Sequence, residues 1–342
     1  MPVIAGNEQL RADLQRMRRE NHLPHALLLH GERGCGKKLL ADWFTMLVLC
    51  EHPAQAPCGE CRACRLVLEG AHPDVTRAEH SGKKMGFSVE TVREIRKEAA
   101  VLPNNGEMRV FLFTDADGMS VQAQNALLKS VEEPPAHACF VFTAETIGVL
   151  LPTLLSRMTA KAVFPVTESE CVNALTRLSY PAEEIQAAVS RFGGNIGRCI
   201  AYLSDEMQRQ AAETAAALTA ALAQVNEYAL LQLLTAAAAD KDLLRRTLEL
   251  LDMQIRDAAV FSLDGSFQRL GCDRAAAEAL SARLSPRRAM RMHGAITEAF
   301  ADLESNVGGV LTVTMQFADD EAADENAARF EDAMDMLEEM TV

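Results

Sequence analysis

Residues 26–40 read ALLLHGERGCGKKLL, and the fold of the chain turns on them. An apolar run, Ala26 to Leu29, leads into a glycine-rich step from Gly31 to Gly36, and a helix-forming run follows from Lys37. A strand, a turn and a helix start in that order are the parts of a phosphate-binding loop, where backbone N–H groups converge on an anion. The spacing is glycine, four residues, glycine, lysine, with Gly34 easing the turn. Gly31, Gly34, Gly36 and Lys37 are therefore the candidate phosphate-binding residues. The full pattern continues with Ser or Thr, whose hydroxyl ligates the magnesium of a bound nucleotide. This chain has Lys38 there. A charged lysine has no lone pair for a cation, and its ammonium stands where the metal belongs.

A second apolar run, VFLFT at 110–114, should bring an acidic pair for magnesium and for the attacking water. Thr114 holds the place directly after the run, and Asp115 and Asp117 read as strand-end and turn residues. Losses at two cooperating positions predict a chain that does not hydrolyse ATP with Mg2+. A third run is CFVFT at 139–143, and helical patterns lie near 7–21, 37–49, 88–101 and 121–133. That alternation predicts an α/β domain over residues 1–165, a parallel sheet covered by helices. Ser88 and Ser120 are the predicted N-caps, and Pro134-Pro135 ends the helix begun near Val121.

Strand signals stop near residue 166. ESECVNALTRL (168–178), AEEIQAAVSRF (182–192) and NIGRCIAYL (195–203) predict short helices, broken at Gly193-Gly194. They make a small helical domain over 166–204. An Ala- and Leu-rich helical third domain runs from 205 to 342, with turns expected at Gly265 to Cys272 and Leu284 to Pro286.

At 342 residues the chain has room for two or three domains. No run approaches the roughly 18 to 20 apolar residues of a membrane span, and the N-terminus shows no signal-peptide core, which predicts a cytoplasmic protein. Residues 319–342 carry ten acids and one arginine, most of the net charge of −14. Phe330, Met334, Leu337 and Thr341 give that tail helical spacing: a solvated terminal helix or a docking face. A free-standing zinc-containing DNA-binding protein would show a basic, aromatic-bearing face. Only 5% of residues are aromatic, and LRADLQRMRREN and HSGKKMGF are the best support for that alternative.

Nine cysteines without an export signal argue for metal ligation or buried thiols rather than disulfides. Cys50, Cys58, Cys61 and Cys64 cluster as C-x7-C-x2-C-x2-C, a spacing whose thiolates can converge on one tetrahedral zinc. Four thiolates leave no open position, so the site is structural. The turn-rich insert at about 50–64 would take its folding energy from the metal.

Two arginines remain. Arg157, in LLPTLLSRMT after Ser156, occupies a polar step between apolar stretches, either a surface residue or one that reaches a neighbouring subunit. Arg198 in GNIGRC opens a helix and is a sensor-like candidate for phosphate.

Taken together, these residues resemble the delta-prime family of bacterial DNA polymerase III clamp-loader subunits, proteins of AAA+ type. The matching pieces are LPHALLLHG (23–31), the Cys50–Cys64 cluster, EGAHPDV (69–75), FTDADGMSVQAQNALLKSVEEPP (113–135) and LPTLLSRM (151–158). The last resembles the family's Ser-Arg-Cys motif, with Met158 in place of the cysteine; Leu303-x-x-Asn306 resembles a motif of the collar. Residues 1–203 carry the likeness strongly, and 205–342 by length, helicity and that motif. The resemblance implies an AAA+ P-loop-type parallel-sheet domain with an inserted zinc module, a helical lid and an all-helical collar. It implies a hetero-pentameric ring with gamma/tau motor subunits and a delta subunit, loading a sliding clamp onto primer–template DNA in the replisome. In that ring Ser156-Arg157 would serve the neighbour's ATP, while Lys38 and Thr114 agree with family members that do not turn ATP over. An active motor subunit of the same assembly is the alternative; it would want Ser or Thr at 38 and an acid at 114.

Overall fold

The three apolar runs become the centre of one parallel sheet. The computed structural model describes residues 4–78, 80, 87–262 and 274–305. These fall into two units, Met1–Ala174 and Leu175–Val342.

The first unit runs α1 (Glu8–Arg19), β1 (Ala26–His30), α2 (Lys37–Leu49), α3 (Arg62–Leu68), β2 (Val75–Arg77), α4 (Val89–Ala99) and β3 (Arg109–Phe113). It continues with α5 (Val121–Glu132), β4 (Ala138–Ala144), α6 (Pro152–Leu155) and β5 (Thr159–Ala162), and α7 (Glu168–Arg177) spans the boundary. The strand order is β2-β3-β4-β1-β5, every pair parallel. In β1, Leu27 and Leu29 face a core shared with Phe44, Leu40 and Leu112, whereas Leu28 faces Phe111, Phe140 and Leu127. Apolar residues on both pleats are what a strand covered on both sides needs. Phe113 and Phe142 stack at 4.8 Å, and Phe111 and Phe140 at 5.3 Å. Each such ring contributes roughly 1.5–3 kcal/mol by burial.

The two outer strands were not foreseen. β2 is VTR and β5 is TAKA, three and four residues without an apolar run. They join the sheet because β3 and β1 present free ladder edges, and pairing decides where side-chain pattern does not. The caps did form: Ser88 Oγ accepts from Thr91 N at 3.0 Å and Ser120 Oγ from Ala123 N at 3.2 Å.

The second unit is helical throughout the described residues: α8 (Ala182–Phe192), α9 (Ile196–Ser204), α10 (Glu206–Ala223), α11 (Glu227–Ala237), α12 (Lys241–Phe261), α13 (Arg274–Ser281) and α14 (Pro286–Ser305). Leu218, Leu234, Leu248, Leu251, Ile255, Met292 and Ile296 form its core. Asp205 caps α10 through Met207 N and binds Arg246 Nη1 at 2.6 Å, an arginine that holds its carboxyl below the usual range. The turn at Leu284 to Pro286 separates α13 from α14, as expected. The turn at Gly265 to Cys272, Asn306, the acidic tail and the lysine pair of HSGKKMGF lie outside the described residues. No described helix is long and apolar enough to cross a membrane.

Candidate functional site

Ligands of open parallel sheets bind beyond the carboxyl ends of the strands. Here β1, β3 and β4 deliver Gly31, Thr114 and Glu145 to that edge. Gly31 adopts φ 152° and donates its N–H to Ala144 O at 3.2 Å. A Cβ there would stand 2.1 Å from Val163 O, so only glycine lets the loop leave β1 against β5. Gly34 and Gly36 also take positive φ, 93° and 85°, and Gly36 is the N-cap from which α2 starts.

The loop's first lysine is turned inward. Lys37 is 6% exposed, and its Nζ donates to Gly31 O at 2.6 Å and Glu32 O at 2.8 Å. Burial lowers its pKa, against the opposing pull of Glu145, Cys35, Asp117 and Asp115. The second lysine crosses to the neighbouring strand: Lys38 Nζ lies 2.5 Å from Asp115 Oδ2, both side chains about half exposed. Asp115 has φ 56° and its N–H donates to Thr143 Oγ1 at 2.9 Å. Asp117 accepts Glu145 N at 2.8 and 3.0 Å. Both aspartates are thus engaged by protein groups at the strand ends, in the manner the sequence suggested. The group reaching Asp115 is an ammonium, and the position after β3 is the neutral Thr114. Position 38 thus carries an ammonium and position 114 a neutral hydroxyl, while Glu145, Asp117 and Asp115 lie close enough to Lys37 to act on its charge.

A second constellation lies around α6. Arg157 Nη1 donates to Thr153 O at 2.6 Å and to Ser156 Oγ at 3.3 Å, while Nη2 meets Glu132 Oε1 at 3.0 Å. The Arg157 side chain remains 34% exposed. The turn that carries α6 is tied to α5 by Gln124, buried at 2% exposure. Its Nε2 donates to Met119 O at 3.0 Å and Val149 O at 3.1 Å, and its Oε1 accepts Leu151 N at 2.6 Å. Arg198 lies in the first turn of α9 in the second unit, its N–H donating to Asn195 Oδ1 at 3.1 Å.

The cysteine cluster closes around the start of α3. Cys61 N donates to Cys58 Sγ at 3.3 Å and Cys64 N to Cys61 Sγ at 3.4 Å, so successive sulfurs are aimed by the turn of the chain. The donor atoms of Cys50, His52, Cys58 and Cys61 all lie within 4.8 Å of one another. Cys58 Sγ and His52 Nδ1 are 3.6 Å apart. Metal legs of about 2.3 and 2.0–2.1 Å at a tetrahedral angle put sulfur and nitrogen about 3.6 Å apart. The donor set therefore fits a soft or borderline ion such as zinc. Backbone N–H groups of Glu60 and Cys61 pull the Cys58 thiol down to about 6, and burial pushes those of Cys64 and Cys50 up.

Sequence reasoning missed three residues of these sites. His52 was marked by its place two after Cys50, but a cysteine count passes over it. Gln124 and Glu132 sit inside a helical pattern where polar residues are expected, and only the tertiary structure shows what they bind.

A β2-β3-β4-β1-β5 parallel sheet with a glycine loop between β1 and α2 defines an α/β domain with the architecture of a phosphate-loop fold. Residues 6–166 match the family model described as "DNA polymerase III, delta subunit". The chain is similar to the delta-prime subunit of DNA polymerase III from Pseudomonas aeruginosa, 34% identical over 174 residues, 50% of this chain and 53% of that one. It is 34% identical to the Escherichia coli delta-prime subunit over 193 residues, 56% and 57% of the two chains. Against the tau subunit of Bacillus subtilis it is 30% identical over 184 residues, 54% and 32% of the two chains. The match spans about half the length of the curated delta-prime relatives. Among solved structures, a gamma-subunit-related protein from Thermotoga maritima aligns over 89% of this chain and 97% of its own at 15% identity, TM-score 0.37. The resemblance to delta-prime subunits read from residues 23–158 is borne out.

Proposed function

We propose that the chain is a delta-prime-like stator of a DNA polymerase III clamp loader: a subunit that lends an arginine to its neighbour's ATP and hydrolyses none itself. The observation that supports this reading is the Lys38–Asp115 ion pair, an ammonium at the position where the full phosphate-loop pattern has a hydroxyl. Lys37, bonded to two carbonyls of its own loop, supports the same conclusion. Gly31, Gly34, Gly36 and Lys37 then serve as a structural joint between β1 and α2. The intact element is Ser156-Arg157. An arginine supplied in trans neutralises charge on a transferring phosphoryl group and is worth about 10³ to 10⁵ in rate.

In this reading residues 166–204 are a lid and 205–342 a collar that joins five subunits, gamma/tau motors and delta among them, into an open ring. Arg198 would be a vestigial phosphate sensor of the lid. ATP on the motor subunits holds the sliding clamp open over primer–template DNA in the cytoplasmic replisome. ATP on a neighbour can bias the ring only through contacts that differ between its states, and Arg157 is such a contact. Zinc would be held by Cys50, Cys58 and Cys61, with Cys64 and His52 competing for the fourth position. It would supply structural cross-linking of the insert and no catalysis.

The test is Arg157→Ala in a complex reconstituted with its motor subunits. DNA-stimulated ATPase should fall while the variant folds and assembles normally; unchanged ATPase and clamp loading would remove the trans role. The similarity to tau favours a second reading, an active motor. ATP turnover by the isolated chain separates the two.

A further inference from the structure

We propose that Glu132 is the positioning residue of Arg157, holding the guanidinium in the pose in which it meets a neighbour's phosphate; this rests on the trans-arginine reading above. Glu132 is the last residue of α5, and a carboxylate at a helix C-terminus faces the negative end of the helix dipole. Helix stability therefore does not explain it. Its Oε1 accepts from Arg157 Nη2 at 3.0 Å. The two protons of Nη1 go to Thr153 O and Ser156 Oγ. One end of the guanidinium is thus pinned by α5 and α6 together, and the contacts made leave Nε–H and the second Nη2–H for an incoming oxyanion. A free arginine carries about 2 kcal/mol of rotamer entropy, so a side chain already held loses less on meeting phosphate. Gln124 fixes the α6 turn to α5, which keeps Glu132 and Arg157 in register. At 52% and 34% exposure the pair is weak enough that the guanidinium can readjust when the phosphate arrives.

The experiment uses the reconstituted clamp-loader complex and measures DNA-stimulated ATPase for Glu132→Ala, Glu132→Gln, Arg157→Ala and the Glu132→Ala/Arg157→Ala double variant. Glu132→Ala should lower kcat by about two- to five-fold with KM for ATP unchanged, the range expected for an exposed ion pair. Glu132→Gln, which keeps the acceptor oxygen, should recover most of the loss. The double variant should be no worse than Arg157→Ala alone, because the carboxylate acts only through the guanidinium. Full activity of Glu132→Ala beside an impaired Arg157→Ala would overturn the inference and leave the reading standing, as would a double variant that loses both effects in full. An unimpaired Arg157→Ala would sink the reading and this inference with it.

Discussion

Lys38 Nζ lies 2.5 Å from Asp115 Oδ2, joining the first turn of α2 to the turn that follows β3. The bond links the two places where the sequence departs from a hydrolytic loop, because Asp115 follows the neutral Thr114 directly. Position 38 carries lysine where a hydrolytic loop has Ser or Thr, and position 114 carries threonine where an acid would be wanted.

Replacing the lysine alone therefore does not repair the site. Lys38→Thr should leave the isolated chain without Mg-ATP turnover, measured as phosphate release, since Thr114 still offers no carboxylate. Because the pair is about half exposed, breaking it should cost no more than about 1 kcal/mol of stability. Restored turnover in the single variant would refute the two-position argument.

Gln124 is a buried polar group whose removal should destabilise the first unit. Gln124→Ala leaves Met119 O, Val149 O and Leu151 N without their side-chain partner. Unsatisfied buried groups cost about 1–3 kcal/mol, to be read from urea denaturation. The same variant should lower trans ATPase in the complex, because the turn carrying Arg157 loses its tie to α5. Unchanged stability would show the three bonds to be replaceable by water.

The loop glycines differ in what they tolerate. Gly31→Ala drives a Cβ to 2.1 Å from a backbone oxygen at φ 152° and should destabilise by about 2 kcal/mol or more. At Gly36, where φ is 85°, a Cβ would meet nothing within 4 Å, so Gly36→Ala should cost only the conformational term, about 1–2 kcal/mol. Thermal melts of the two variants rank them, and an equal or reversed order would contradict the steric account.

Purified protein should contain about one zinc per chain. Removing it with a chelator should lower the melting temperature. X-ray absorption would distinguish four sulfurs near 2.3 Å, with Cys64 as fourth ligand, from three sulfurs and one nitrogen near 2.0–2.1 Å, with His52 in that place. A metal-free chain with an unchanged melt would remove the zinc proposal.

What could be read in advance followed chemistry that is local in sequence. Residues 26–30, 110–113 and 139–143 fall in β1, β3 and β4 because strands buried on both faces need continuous apolar runs. Ser88 and Ser120 cap their helices through bonds spanning three residues. The cysteine cluster showed itself through spacing. β2 and β5 escaped notice because an edge strand is made by its partner's ladder rather than by its own side chains. Lys38 was read as occupying the metal's place, but its partner Asp115 lies 77 residues away, as bonds between elements leave no mark in a periodic pattern. His52, Gln124 and Glu132 were hidden for the same reason.

The central claim, a phosphate loop closed by its own lysines, is tested most directly by titrating the isolated chain with ATP in the presence and absence of Mg2+ while following phosphate release. No turnover, and no binding that depends on magnesium, is the expected result. Magnesium-dependent tight binding accompanied by steady phosphate release would contradict it.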